Sequence, residues 1–94
     1  MAVAIEMDFE GATLDQYDQV LELMGLEAGG GAPPGAMFHW AAETDTGLRV
    51  VDVWETREAF DRFAEEQIGP HTATVGFPGP PSLTYRDVHS HMVG

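Results

Sequence analysis

Two apolar runs, AMFHWAAE (Ala36–Glu43) and LRVVDVWE (Leu48–Glu55), are joined only by the turn TDTG around Asp45 and Thr46. So short a connection leaves an antiparallel hairpin as the arrangement of the two runs. Each run carries one residue that a strand core does not want, His39 in the first and Asp52 in the second. A loop of two or four residues centred on Asp45 and Thr46 sets His39 directly across from Asp52, with their β-carbons about 5 Å apart on one face. The same register pairs Met37 with Trp54 and Ala41 with Val50. A three-residue loop sets His39 opposite Val53 and turns Asp52 to the other face.

The rest of the chain supplies partners for this hairpin. VAIEMDF (Val3–Phe9) alternates, with Val3, Ile5, Met7 and Phe9 on one side, and predicts a half-buried strand. Thr13 with Gln16 three residues on makes a capping-box pattern, and Leu14, Tyr17, Val20, Leu21 and Met24 then recur at helical spacing up to Gly25, a left-handed cap. EAGGGAPPG (Glu27–Gly35) is a loop by composition, able to lie over a cleft. After the hairpin, Thr56 caps a helix REAFDRFAEEQI with Ala59, Phe60, Phe63 and Ala64 as its buried stripe, and Gly69-Pro70 is expected to stop it. Pro70 starts a short helical turn, and SLTYRDVHS (Ser82–Ser90) is expected as the last strand. The order is βαββαβ, an α+β ferredoxin-like sandwich with a four-stranded antiparallel sheet and helices on one face. One domain over residues 1–94 is expected. The bare sheet face needs cover, which a second copy of the chain can supply.

Composition limits the partners. The 94 residues carry four Arg, no Lys and sixteen Asp plus Glu, for a formal net charge of −12. Phosphate backbones and anionic lipid surfaces repel such a chain, so neither nucleic acid nor membrane is expected as a partner. There is no Cys, which removes disulfides, thiolate metal sites and a Cys nucleophile. The start MAVAIEMDFE lacks a basic region and is interrupted by Glu6 and Asp8, unlike a signal peptide, so a cytoplasmic location is expected. Ser-based hydrolysis and nucleotide chemistry find no motif: there is no G-x-S-x-G and no phosphate-cradling glycine loop with a Lys.

If His39 and Asp52 meet, the carboxylate accepts from one imidazole N–H and fixes the tautomer, leaving the other ring nitrogen free to move a proton on a ligand. Trp54, Met37 and nearby Phe side chains then form an apolar wall suited to a flat hydrophobic molecule. The competing reading is a satisfied polar pair that only fixes hairpin register or contacts a second copy. His89-x-His91 puts two imidazoles on one strand face at metal-binding spacing, but without a third ligand nearby no metal is expected. His71 sits where it can face the cleft between helices and sheet. Tyr85 and Arg86 point to opposite faces of the last strand, so at most one reaches a pocket.

Over its whole length the chain resembles the dimeric α/β-barrel superfamily, and within it the antibiotic-biosynthesis-monooxygenase-like group. The resemblance is carried by VVDVWETREAFDRFAEEQIGP (Val50–Pro70), by FHW (Phe38–Trp40) and by VGFPGPP (Val75–Pro81). It looks closest to small actinobacterial members, and His39, Asp52 and Trp54 match recurrent positions. It implies two βαββαβ chains with facing sheets and, in each, a pocket between sheet and helices. The superfamily includes cofactor-free oxygenases of polyketide aromatics, haem-degrading enzymes, isomerases, cyclases and members without known activity, and fold alone does not choose among them. The haem-degrading type uses an Asn on the first strand and a Trp in the helix. This chain has no Asn, carries Phe63 where that Trp would be, and has only His71 near the third expected position.

Two functions stay open at this level. The first is a small homodimeric enzyme on an aromatic or polyketide-like molecule, of cofactor-free monooxygenase, isomerase or cyclase type. His39 and Asp52 would be its acid/base pair, with Trp54, Met37, Phe63, His71, Tyr85 and Arg86 contacting substrate and no cofactor. The second is a non-enzymatic ligand-binding or structural dimer of the same fold. The residues do not choose between them, and they name neither the substrate nor a role for O2.

Overall fold

A computed structural model of the chain describes residues 1–92 and 94. Strand β1 (Val3–Glu10) buries Val3, Ile5, Met7 and Phe9, its alternate residues. Helix α1 (Leu14–Met24) follows, entered through the capping box: the Gln16 backbone N–H donates to Thr13 Oγ1 over 3.2 Å, and the Thr13 N–H donates to Gln16 Oε1 over 3.0 Å. Gly25 ends the helix at φ 76°, the left-handed cap. Val20 is buried and Tyr17 packs against the core, but Leu14, expected on the same stripe, is exposed. Side chains on a helix lean toward its N-terminus, so the first helical residue points past the helix start instead of onto the sheet.

Strands β2 (Ala36–Glu43) and β3 (Gly47–Trp54) form the hairpin. Thr44 closes the turn: its N–H donates to the Gly47 carbonyl over 2.9 Å, and its Oγ1 accepts from the Gly47 N–H over 3.1 Å. The resulting register sets His39 opposite Asp52 and Ala41 opposite Val50, as expected. Met37 does not pair with Trp54. A β-bulge between Ala36 and Phe38 gives that partner to Ala36 and leaves Met37 as the extra, exposed residue. Just before the bulge, Gly35 (φ 90°) lies flat on the Trp54 ring, so close that a β-carbon there would stand 3.3 Å from it.

Thr56 caps helix α2 (Arg57–Phe63) by accepting from the Ala59 N–H over 3.1 Å. Gly69-Pro70 does not stop the helical path. It runs on through a π-helical turn (Ala64–Ile68) into α3 (Gly69–Val75). The residue before a proline is pushed out of the helical region by a clash with its own β-carbon, and Gly69 has none; it sits at φ −57°, ψ −56°. Strand β4 (Ser82–Asp87) ends three residues before the expected Ser90. Its partner β1 begins at Val3, which pairs with Asp87, and only the Val88 N–H reaches further, to the Ala2 carbonyl over 3.0 Å.

The sheet order is β2-β3-β1-β4, all neighbours antiparallel, which is the ferredoxin-like arrangement. One core of Val3, Ile5, Met7, Phe9, Leu48, Val50, Trp54 and Phe60 joins one sheet face to the helices. The opposite face stays open, with Phe38 45% and Trp40 41% exposed. Among the described residues no helix is long and apolar enough to cross a membrane.

Candidate functional site

A cavity of about 420 Å³ opens between α1, the helix-side face of the hairpin and the Gly/Pro loop. Its walls are mostly apolar, from Met7, Phe9, Val20, Leu48 and Val50, and Glu27 to Pro33 lie over it. The sequence places Asp52 in this wall because β3 alternates: Leu48, Val50, Asp52 and Trp54 share the face that meets the helices.

Asp52 is only 5% exposed, and both of its oxygens are occupied. Oδ1 lies 2.5 Å from Nδ1 of His39 across the hairpin, and Oδ2 accepts from the indole Nε1 of Trp54 over 3.0 Å. An ionised carboxylate only accepts, so Nδ1 of His39 carries a proton, and in the neutral ring Nε2 is the acceptor. That second nitrogen is not free. The Tyr17 hydroxyl, from α1, donates to it over 2.5 Å, and the two rings lie end to end with centroids 5.9 Å apart and planes within 9°. Burial raises the Tyr17 phenol above its ordinary value of 10.0, with the Asp52 and then the Asp18 charges adding to it, so the group is a neutral hydroxyl at neutral pH. The result is a hydrogen-bonded line Trp54–Asp52–His39–Tyr17 along one wall of an apolar cavity.

Five of the side chains picked out in the sequence meet here: His39, Asp52, Trp54, Met37 and Phe63 all line the cavity. Phe63 packs tilted on Trp54 with ring centroids 5.0 Å apart. Three do not line it. His71 points along its own helical path and bonds Gln67 Oε1 through Nε2 over 3.1 Å. Tyr85 donates to Asp61 Oδ1 over 3.0 Å beneath the Arg57 guanidinium, 3.8 Å from its ring centroid, and burial and then Asp61 raise its phenol. Arg86 lies on the open sheet face, paired with Glu6 over 3.1 Å. Among the described residues no group of three or more His, Cys, Asp or Glu is placed to hold a metal. Tyr17 is the site residue that pattern reading left out. Its helical spacing marks it as inward-facing, but nothing in the sequence ties it to a strand twenty-two positions on.

No protein-family model and no curated protein sequence matches the chain. Solved structures do match in fold, two of them as follows. One is a mutant of SnoaB, a cofactor-independent oxygenase from Streptomyces nogalater, at 14% identity over 97% of this chain and 94% of that one, with a TM-score of 0.58. The other is the monooxygenase from the gene ActVA-Orf6 of Streptomyces coelicolor in complex with nanaomycin D, at 19% identity over 99% of this chain and 91% of that one, with a TM-score of 0.53. The chain shares the ferredoxin-like fold of these two proteins. At these identities the likeness is one of backbone, and no residue role passes across it.

Proposed function

We propose that the chain is a small homodimeric enzyme acting on an aromatic or polyketide-like molecule, and that His39 with Asp52 moves a proton on that substrate. The observation that carries this reading is the meeting of an apolar cavity of about 420 Å³ with a His–Asp pair whose carboxylate holds a partner at each oxygen. Apolar walls with a few convergent polar groups are the usual make-up of a small-molecule site. Asp52 holds the imidazole in one tautomer and stabilises the imidazolium formed when His39 takes a proton. An electron-rich aromatic that has lost a proton can react with O2, isomerise or cyclise, and the reading requires no cofactor. The structural neighbours, an oxygenase and a monooxygenase, support the oxygen-dependent version.

The homodimer rests on the open sheet face. Exposed Phe38 and Trp40 with half-buried Val51 form an apolar patch there, bordered by the ion pairs Arg49–Asp8 (2.8 Å) and Arg86–Glu6 (3.1 Å). Two of the four cations of a chain at −12 thus stand on this face, each offsetting a carboxylate there.

One observation favours a non-enzymatic ligand-binding or structural dimer instead: both nitrogens of His39 are bonded within the chain. The two readings separate when the protein and its His39→Ala variant are incubated with a panel of hydroxylated naphthalenes and anthracenones, in air and under nitrogen, with products followed by mass spectrometry. The enzyme reading requires a product that the variant does not form. A panel returned unchanged by the wild type favours the binding module.

A further inference from the structure

Building on the cavity as an aromatic-binding site, we propose that Tyr17 is the residue that touches the substrate, taking the proton of a substrate hydroxyl while passing its own to His39. The hydrogen-bond inventory of the site leads there. Nδ1 of His39 is spent on Asp52 and Nε2 on Tyr17. Asp52 is only 5% exposed and already holds a partner at each oxygen, which leaves it out of a newcomer's reach. The Trp54 indole has one N–H, which Asp52 takes. The Tyr17 oxygen donates its single proton to Nε2 and keeps lone pairs to accept another, so it is the member of the line with capacity for a newcomer's O–H.

Tyr17 is held in place for this. Its ring lies end to end with the imidazole and within 9° of its plane, and α1 is tied down just before it by the capping box and by the bond from Gln16 Nε2 to the Gly76 carbonyl over 3.4 Å. The charge around the cavity sets where the proton must stop. Among the described residues that line it there is no Lys or Arg, while Glu27 and Asp52 are both carboxylates. An oxyanion formed here finds its counter-charge on His39 alone. The substrate O–H bond breaks as an O–H bond to Tyr17 forms, and the Tyr17 O–H bond breaks as an N–H bond forms at Nε2. A neutral hydroxylated substrate and a neutral imidazole become an oxyanion and an imidazolium, with no electron gained or lost. A ligand that is already an anion fits this cavity poorly, because Asp52 and Glu27 repel it and no Lys or Arg among the described lining residues offsets them.

The test uses the full-length protein with two probes, 4-nitrophenol and nitrobenzene, which differ by the hydroxyl. Affinities are measured by calorimetry at a pH where the phenol is neutral. The visible band of the ionised probe is then followed as pH rises, for the wild type, Tyr17→Phe and His39→Gln. The wild type should prefer 4-nitrophenol by about tenfold, the worth of one hydrogen bond. It should also ionise the bound probe at lower pH than the free probe. Tyr17→Phe should bind nitrobenzene as the wild type does, lose the preference and lose the early ionisation. His39→Gln should keep the preference and lose the early ionisation. If Tyr17→Phe keeps the preference while His39→Gln abolishes it, His39 meets the substrate directly; the inference is wrong and the proposed function stands. If the wild type binds neither probe, the aromatic-site reading fails and the inference falls with it.

Discussion

The indole Nε1 of Trp54 donates to Oδ2 of Asp52, two residues earlier on the same strand, over 3.0 Å. Residues two apart on a strand share a face, so the D-x-W spacing itself brings indole and carboxylate together. This bond orients a buried charge that also holds His39. Trp54→Phe keeps an aromatic wall but removes the donor, and an unpaired buried acceptor costs about 1–3 kcal/mol. Urea unfolding should show a loss of that size. An unchanged midpoint would mean that Oδ2 finds another partner.

The His39–Asp52 contact should appear as coupling. His39→Ala strips Oδ1 of its donor, and Asp52→Ala strips Nδ1 of its acceptor, each within hydrogen-bond distance at 2.5 Å. A double-mutant cycle on unfolding free energy should return an interaction of about 0.5–3 kcal/mol, the range for residues in one network. Strict additivity would make the contact energetically silent.

Tyr17 predicts a pH dependence of known sign. Burial raises its phenol above 10.0 in the folded chain. The stability linked to this group is therefore fully present below pH 10.0 and is lost as pH rises from there through the higher folded value. Tyr17→Phe removes this loss, while Tyr85, also raised, is present in both proteins. The gap between their urea midpoints should shift in favour of the variant above pH 10.0 and stay constant below it. A constant gap throughout would show that the phenol is not perturbed by folding.

Gly35 is required by backbone and by contact at once. It sits at φ 90°, and an added β-carbon would stand 3.3 Å from the Trp54 ring and 3.6 Å from the Ala59 β-carbon. Gly35→Ala should destabilise by about 1–2 kcal/mol from the left-handed conformation alone. It should also shift the near-ultraviolet signal of Trp54. A neutral substitution would mean that the bulge beside Gly35 relaxes.

The open face predicts self-association through Trp40. Sedimentation velocity should find the wild type as a dimer. Trp40→Glu, which puts a charge in the patch, should leave a monomer with unchanged circular dichroism. A wild type that sediments as a monomer would overturn the homodimer, and a variant that stays a dimer would place the interface elsewhere.

Most of the fold was legible in the sequence because its signals are local. Alternation in β1, the Thr13–Gln16 capping box and the short turn at Asp45-Thr46 each fix one element, and the turn sets the register that brings His39 to Asp52. What escaped involves contacts between elements. The bulge at Met37 arises where Gly35 packs on Trp54, and the continuous path through Gly69-Pro70 depends on a π-helical turn. The expectation of a free His39 nitrogen failed because Tyr17 arrives from another element. The position of His71 after Gly69-Pro70 and the alternation of Tyr85 and Arg86 on the last strand carry no sign of their partners, and Gln67, Asp61 and Glu6 engage them outside the cavity.

The central claim is that an aromatic molecule enters the cavity beside the Trp54–Asp52–His39–Tyr17 line. The chain carries its own internal control, since its two Trp residues stand on opposite sheet faces, Trp54 in the cavity wall and Trp40 on the open face. The most direct measurement is a proton–nitrogen correlation spectrum of the two indole N–H groups during titration with 2-naphthol. A saturable shift of the Trp54 indole with the Trp40 indole unmoved is the result expected. A still Trp54 signal at saturating probe, whether or not Trp40 moves, would contradict the account.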